Sequence, residues 1–450
     1  MPPALPVKTT PESPFDHALA LALADKPEPA LRWAAAIVKA ELGSPSGLLL
    51  LGRLLGGLGR KDAARTALDV CIARAVDAGL LPLAVAACSD LRKLGNEPGA
   101  HLDEIASAFA AGSKRLGEGS IPPPPMHPGE LSPLAETVAG SALLDAAAAI
   151  AKDAAAALEQ AKKGRRAPPR VTRSTLFSAL EARGLRKTIE VFEVKTVAKG
   201  AKLIVEGEPG AEAYVLARGE LEVVREATED SARIVLAHLH SGAIFGEMAL
   251  LSRAPRAASV VATTPSIVLV GRKEALDHVA ETEPHVGEEL AAHCRRRMIQ
   301  NLERTNTVLG AVSAGERPAL VERFVTHTYE KGEKLIAQGD AAEGLHLIAS
   351  GEVAIVRHEA GGEPFVLATL RQGETVGEVA LVLRRPSTAD VVAVHPTVSL
   401  FLPKASFLAL IKEHPLLIAE LYAIAIQRDD ETASIADQDV LSADLDDFIV

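Results

Sequence analysis

The stretch from Phe245 to Val260, FGEMALLSRAPRAASV, concentrates residue types that bind an anion. Gly246 lets the backbone approach a ligand closely, because it carries no side chain. Arg256 can present a planar fork of N–H donors to phosphate oxygens. The chemistry predicted for this segment is phosphate binding rather than catalysis.

A second stretch, VGEVALVLRRPSTADV from Val376 to Val391, has the same pattern without its arginine. It keeps Gly377 and Glu378, whereas Ser387 stands at the arginine position. Loss of a guanidinium opposite a buried phosphate should cost several kcal/mol, about the range for truncating one partner of a buried charge pair. The two stretches are therefore expected to differ in ligand binding.

Each stretch follows one copy of a long internal repeat, which runs from Phe192 to Arg225 and again from Phe324 to Arg357. Its glycines keep a constant offset: Gly207 and Gly339, like Gly219 and Gly351, are 132 residues apart, whereas Gly246 and Gly377 are 131 apart. One residue deleted from a surface hairpin explains the slip. Short apolar strands that end in glycine predict antiparallel jelly-roll barrels.

Both copies resemble the cyclic-nucleotide-binding domain shared by the catabolite activator protein, protein kinase A regulatory subunits and nucleotide-gated channels. The resemblance covers residues 173–427, and in that family a short helix that interrupts the barrel binds the cyclic phosphate. It implies an α+β multidomain chain, in which an N-terminal all-α region precedes two tandem jelly-roll barrels with flanking helices.

The resemblance also implies roles for the residues of the first stretch. The amides of Glu247, Met248 and Ala249 would open the short helix, where unpaired N–H groups favour an anion. The Glu247 carboxylate would accept a hydrogen bond from the ribose 2′-hydroxyl, and Arg256 would bind the exocyclic phosphate oxygens. The expected site comprises Phe245, Gly246, Glu247, Met248, Ala249, Arg256, Ala257, Ala258 and Ser259.

The expected ligand is cAMP rather than cGMP. In cGMP-selective relatives a threonine often follows the cassette arginine, whereas Ala257 follows it here. Ala258 keeps the next strand close to the ligand, and Ser259 could still donate to a purine edge. A residue that caps the base should lie on the helix after the barrel, within residues 285–306.

The second copy offers two interpretations. One is a second ligand site formed by Gly377, Glu378, Val379, Ala380, Arg385 and Thr388, with Arg385 or its neighbour Arg384 replacing the missing guanidinium. The other, which we favour, is a degenerate barrel that only packs against the first, because two arginines on a surface turn are usually solvated.

The N-terminal quarter has helical periodicity, with glycines at the expected helix ends. It resembles a tetratricopeptide-type helix pair, although no clean repeat of about 34 residues is visible and an Ala-rich bundle fits equally well. The predicted organisation is a disordered N-terminus (1–14), a helical domain (15–117), a segment with a Pro-rich linker, an Ala-rich helix and a basic stretch (118–172), two nucleotide-binding domains (173–304 and 305–427) and an acidic tail (428–450).

Composition and motifs exclude several functions. A net charge of −11 argues against a broad nucleic-acid surface, and the acidic tail is unsuited to DNA. No nucleotide-hydrolase, metalloprotease or serine-hydrolase motif is present, and the histidines, carboxylates and three cysteines show no metal-ligand spacing. We expect a cytoplasmic protein with no enzymatic activity, no metal and no contact with DNA or membrane.

A sensor without its own output needs a partner protein, and the N-terminal helical region is the expected adaptor. Two alternatives remain open. The chain could inhibit a protein kinase as protein kinase A regulatory subunits do, since residues 165–167 weakly resemble a pseudosubstrate arm. It could also be a scaffold whose barrels bind no ligand.

Overall fold

The computed structural model describes residues 12–117, 131–165, 167–225, 233–250, 255–302, 322–359, 364–415, 417–419 and 421–428, together with 306, 312, 313, 315, 316, 319 and 320. The predicted disordered N-terminus up to residue 11, the Pro-rich linker, Leu251 to Ala254 of the first stretch and the acidic tail from residue 429 lie outside these ranges. Contacts divide the chain into one unit of residues 1–205, 212–246 and 258–290 and another of 206–211, 247–257 and 291–450.

The first unit begins with helices of which the first six, from residue 14 to residue 109, each pack against the next along the chain. Prolines occupy the first turns of α1, α2 and α3, where a missing N–H costs nothing. Gly79 and Gly95 end α4 and α5 at positive φ, as expected from the sequence. The helices are α1 Pro14–Leu23, α2 Pro27–Ala40, α3 Pro45–Gly57, α4 Lys61–Asp77, α5 Leu81–Lys93, α6 Gly99–Phe109, α7 Gly140–Lys163 and α8 Ala182–Glu190.

The Ala-rich helix α7 and the basic stretch after it are fixed to this helical region. Helix α7 packs on α2 and α4, and Asp77 pairs with both Arg115 and Arg165. Strands β1 (Leu116–Gly117) and β2 (Val171–Thr172) pair in parallel beside these contacts. The described part of the basic stretch is therefore held against the fold rather than extended as a free arm.

Two sets of eight strands confirm the duplicated barrel. The first set comprises β3 Glu193–Val197, β4 Lys202–Ile204, β5 Glu212–Arg218, β6 Leu221–Arg225, β7 Ile234–Leu239, β8 Ile244–Phe245, β9 Ser259–Ala262 and β10 Ser266–Arg272. The second comprises β11 Val325–Tyr329, β12 Lys334–Ile336, β13 Gly344–Ser350, β14 Glu352–Arg357, β15 Phe365–Arg371, β16 Thr375–Val376, β17 Asp390–Ala393 and β18 Thr397–Pro403.

Each set forms two four-stranded antiparallel sheets with the same topology. The orders are β3-β10-β5-β8 and β4-β9-β6-β7 in the first set, and β11-β18-β13-β16 and β12-β17-β14-β15 in the second. The repeat offset is 132 up to Arg225 and Arg357 and 131 from Ile234 and Phe365 onward. The one-residue slip therefore lies in the hairpin between β6 and β7, as the sequence predicts.

Helices flank both barrels. They are α9 Lys273–Thr282 and α10 Pro284–Leu302 after the first, α11 Glu378–Leu383 within the second, and α12 Lys404–Glu413 after it, followed by helical residues 417–419 and 421–428. A 3₁₀ turn, Glu247–Leu250, lies in the first copy where α11 lies in the second. The tandem barrels with flanking helices confirm the predicted fold class, while the tetratricopeptide resemblance stays a prediction.

The helical region and the outer sheet of the first barrel share one hydrophobic core. Helix α5 packs on β3, β5 and β10, and α6 packs on α8. The Arg92 guanidinium donates to the carbonyls of Glu190 and Phe192 at the start of β3. The predicted boundary at residue 173 therefore does not separate two independent cores.

In the second unit, a buried histidine lies inside the second barrel. His346 on β13 is 5% exposed, and its Nδ1 lies 2.9 Å from the Ser399 hydroxyl. His327 and Phe401 lie beside its ring. Burial, followed by the proximity of His327, lowers the pKa of His346 to about 4. The imidazole is therefore neutral in the folded protein at pH 7.

We predict that His346 makes the second unit sensitive to acid. Its pKa is depressed on folding, so the unfolded chain binds a proton below pH 6.5 that the folded chain resists. The free energy of unfolding should therefore fall by up to about 3 kcal/mol between pH 6.5 and pH 4 and stay unaffected above pH 7. Urea unfolding of wild type and His346→Gln, followed against pH, tests this expectation.

The His346→Gln variant should keep part of its acid sensitivity, because a second histidine is also buried. His293 on α10 is buried, and burial followed by Arg296 and Arg297 lowers its pKa to about 4 as well. His346→Gln should remove only the share of His346. An unchanged pH profile in the variant would exclude His346 as a source.

Candidate functional site

The residues predicted for the first stretch fall on several elements. Phe245 ends β8 and stacks on Tyr214 at 5.3 Å between ring centroids, and Gly246 follows with φ of 70°. Glu247, Met248 and Ala249 form the 3₁₀ turn, with Glu247 and Ala249 buried. Gly246 thus has a backbone angle that other residues rarely adopt.

Arg256 is fixed by its backbone and by a glycine. Its amide donates to the Glu208 carbonyl at 2.9 Å, and its own carbonyl accepts from the Gly207 amide at 2.8 Å. Its guanidinium lies directly against Gly210, where a Cβ atom would overlap the Nε, Cζ and Nη2 atoms. A glycine at position 210 therefore leaves the space that this placement of the Arg256 guanidinium requires.

Glu247 is a buried carboxylate that interacts with Arg297 and is influenced by the charge of Arg256. The residue is 4% exposed, and its Oε1 is 3.5 Å from Nε of Arg297 on α10. Burial raises the pKa of the Glu247 carboxyl, while the charges of Arg297 and Arg256 oppose that rise. Cys294, one turn before Arg297, places its Sγ 3.4 Å from the Glu247 carbonyl oxygen.

The last three predicted residues differ in how deeply they are buried. Ala257 is exposed and Ala258 half-buried, whereas Ser259 is completely buried in β9. Val260 and Ala262 of that strand belong to the barrel core, so Ser259 lies on the opposite strand face. The expected hydrogen bond from Ser259 to a purine edge stays a prediction.

In the second copy, most candidates line one cavity of about 460 Å³. Gly377, Glu378, Val379, Ala380 and Thr388 all contribute to its wall. Arg385 does not line it, and Arg384 is exposed with φ of 54°. Neither arginine is part of this cavity wall, so a role for Arg385 in binding stays a prediction, and the volume lies within the range of ligand pockets.

The backbone around Ser387 matches that around Arg256. The Ser387 amide donates to the Asp340 carbonyl at 2.9 Å, and its carbonyl accepts from the Gly339 amide at 2.8 Å. The position that corresponds to Gly210 is Ala342, 132 residues further on. Glycine thus accompanies the arginine, whereas alanine accompanies the serine.

Both copies contain an ion pair that we did not predict. Glu378 is 1% exposed, and its Oε1 lies 2.5 Å from Nη1 of Arg428 in the last described helical stretch. Arg428 follows Arg297 by 131 residues, as Glu378 follows Glu247. The repeat offset alone could have identified both arginines.

Other kinds of site find no support in the described ranges. No group of His, Cys, Asp or Glu side chains there could hold a metal ion. None of the helices described here is long and apolar enough to cross a lipid bilayer.

The sequence predicts cAMP as the ligand of the first cassette, and on that expectation Gly210→Ala should weaken its binding about tenfold or more. The added methyl overlaps the Arg256 guanidinium, and displacing one charge-assisted contact costs about 1.5–3 kcal/mol. Because the flexible end of the arginine can move, thermal stability should change little. Calorimetric titration measures the affinity, and Gly57→Ala, whose new methyl meets open space, is the matched control. Equal affinities would contradict the role of Gly210.

Comparison with known proteins finds matches to both barrels. The family model of the cyclic nucleotide-binding domain matches residues 194–283 and 326–414. The chain is 30% identical over 291 residues to a cAMP-dependent protein kinase regulatory subunit of Yarrowia lipolytica, covering 64% of this chain and 71% of the relative. It is 30% identical over 225 residues to the type II regulatory subunit of Drosophila melanogaster, covering 50% of this chain and 56% of the relative.

Among solved structures, the regulatory domain of Toxoplasma gondii PKA with cAMP is 24% identical, with a TM-score of 0.29, covering 56% of this chain and 92% of that one. The family match falls on the two barrels that the repeat predicts. The chain therefore belongs to the cyclic-nucleotide-binding domain family and carries two copies of the domain in tandem.

Proposed function

We propose that the chain is a cyclic-nucleotide sensor that binds cAMP at its first cassette and signals to a partner protein. The observation that carries this proposal is the position of Arg256 against Gly210, with Glu247 buried nearby. A guanidinium held in place suits a cyclic phosphate, and a buried carboxylate suits a ribose hydroxyl. The relatives named for cAMP-dependent protein kinase support cAMP as the ligand.

Binding would act on the pair of Glu247 and Arg297. A ribose hydroxyl that bonds to Glu247 competes with Arg297 for the same carboxylate, so ligand favours a different placement of α10. Met248, next to Glu247, packs against the hydrophobic cluster that contains Met298, Ile299 and residues of the second barrel. A change at the first cassette can therefore reach that cluster, provided that the ligand binds the two states with different affinity.

The N-terminal helical region is the proposed contact surface for the partner. It shares a core with β3, β5 and β10, so the outer sheet and the helices should move together. We propose no enzymatic activity for the chain.

A second candidate function is inhibition of a protein kinase, which the names of the relatives favour. Arg165, part of the segment that resembles a pseudosubstrate arm, is paired with Asp77, so the arm would have to leave this contact to enter a kinase. Arg166 lies outside the described residues. Pull-down with and without cAMP distinguishes the candidates: release of a kinase supports inhibition, and capture of a different partner supports the adaptor.

We predict that Arg256→Ala lowers the affinity for cAMP at least a hundredfold. The phosphate would lose its guanidinium partner, at a cost of about 3 kcal/mol or more. Isothermal titration calorimetry of the full chain measures this loss. Arg272→Ala removes a surface arginine paired with Glu193 and is the matched control. Unchanged binding in Arg256→Ala would reject the first cassette as the site, and no binding in wild type would favour a scaffold.

A further inference from the structure

The last described helical stretch, residues 417–419 and 421–428, has apolar side chains on more of its surface than it buries. Leu417 and Leu421 are completely buried, in a hydrophobic cluster that also contains residues of α12. Beside this buried face, three large side chains spaced by four residues are 43%, 52% and 37% exposed: Ile418, Tyr422 and Ile426. Residues spaced by four lie on one side of a helix, so these three form an exposed apolar stripe.

Helix α12 adds an exposed face that is both apolar and basic. Leu408 is 48% exposed, with the exposed Lys404 one turn before it and the exposed Lys412 one turn after it. Among the described residues neither lysine has an ion pair, whereas the neighbouring Glu413 pairs with Arg323. The exposed sides of the two helices therefore combine apolar area with positive charge that no described carboxylate neutralises.

The first copy of the domain does not have this surface. The corresponding positions, at the repeat offset of 131, hold small or charged residues: Gly287, Ala291 and Arg295 for the stripe, and Asp277 and Glu281 for Leu408 and Lys412. The barrel with its flanking helices therefore forms without apolar side chains at these positions. Because exposed apolar patches commonly mark contact sites, the surface of the second copy calls for an occupant.

The acidic tail, residues 429–450, follows this helical stretch directly and has a complementary composition. It contains eight Asp or Glu residues and no Lys or Arg. Leu441, Leu445 and Phe448 recur at i, i+4 and i+7, a spacing typical of the apolar side of a helix. The carboxylates of the tail match the two lysines of α12, and its apolar side chains match the stripe.

The tail is also long enough to return to the stripe. From Ile418 to Ile426 the stripe spans about 12 Å, at a rise of about 1.5 Å per residue. The chain from Asp429 to Phe448 can span about 60 Å when extended, several times that distance. Because the tail is tethered, its effective concentration at the stripe is on the order of millimolar, and a second copy competes only at a comparable concentration.

We propose that the acidic tail folds back onto the apolar stripe and the exposed face of α12, and covers this surface within the same chain. The docked tail holds the helical stretch that carries Arg428, so it also stabilises the ion pair of Arg428 with Glu378. The contact is a property of the second unit and does not depend on ligand binding at the first cassette.

Thiol labelling of the full chain tests this contact. The three native cysteines, Cys71, Cys88 and Cys294, are buried, so a thiol added at an exposed position is labelled selectively. Ile418→Cys places such a thiol within the stripe. Ala423→Cys places one at an exposed position of the same helical stretch but outside the stripe, and serves as the matched control.

The labelling rate is compared between the natural tail and a tail that carries Leu445→Asp and Phe448→Asp. With the natural tail, Ile418→Cys should react about tenfold more slowly, which corresponds to a contact of about 1.4 kcal/mol. Ala423→Cys should react equally fast with both tails, because it lies outside the covered area.

A second pair of tail substitutions separates the apolar contact from charge. Ser434→Asp with Gln438→Asp adds the same charge but keeps the apolar residues, so Ile418→Cys should stay protected. Lys412→Glu, which introduces the acid of the first copy, should lower the protection by repulsion. Equal labelling of Ile418→Cys with all three tails overturns the proposal. Protection that rises with protein concentration also overturns it, because a second copy would then cover the stripe.

Discussion

The buried carboxylate that follows the cassette glycine is the constraint on which each site depends. Glu247 and Glu378 are both almost fully buried, and burial alone would favour their protonated forms. A guanidinium from a helix 50 residues further along the chain compensates each one. The helix after each barrel is thus tied to the cassette by charge, and a ligand that engages the carboxylate must act on this pair.

Each copy has this glutamate–arginine pair, but the charged residues around the pair differ between the two copies. In the first, Arg256 adds a second positive charge near Glu247; in the second, Glu374 adds a negative charge near Arg428. The strands, their order and the backbone bonds at the cassette hardly differ. Ligand selectivity in such a duplicated fold can therefore change at a few side chains while the barrel stays constant.

Much of this architecture could be predicted from the sequence, because glycines at a fixed offset mark turns. The backbone angles at such turns cost other residues more free energy than glycine. The same offset located the hairpin with the missing residue. Arg297 and Arg428 were missed because they lie far from the cassette in sequence, although the 131-residue offset singles out Arg297 within its run of three arginines. The cavity of the second barrel depends on how side chains from several elements pack, which only the structure supplies.

The pairing of Gly210 with Arg256, and of Ala342 with Ser387, has a consequence for how such copies diverge. A mutation that restores arginine at position 387 alone would meet a methyl group where its guanidinium belongs, so its benefit depends on a prior change at position 342. The two positions are epistatic, and the order of substitution matters. Once a cassette has lost its arginine and its glycine, return to phosphate binding requires a permissive step that has no advantage by itself, which makes the divergence of the two barrels hard to reverse.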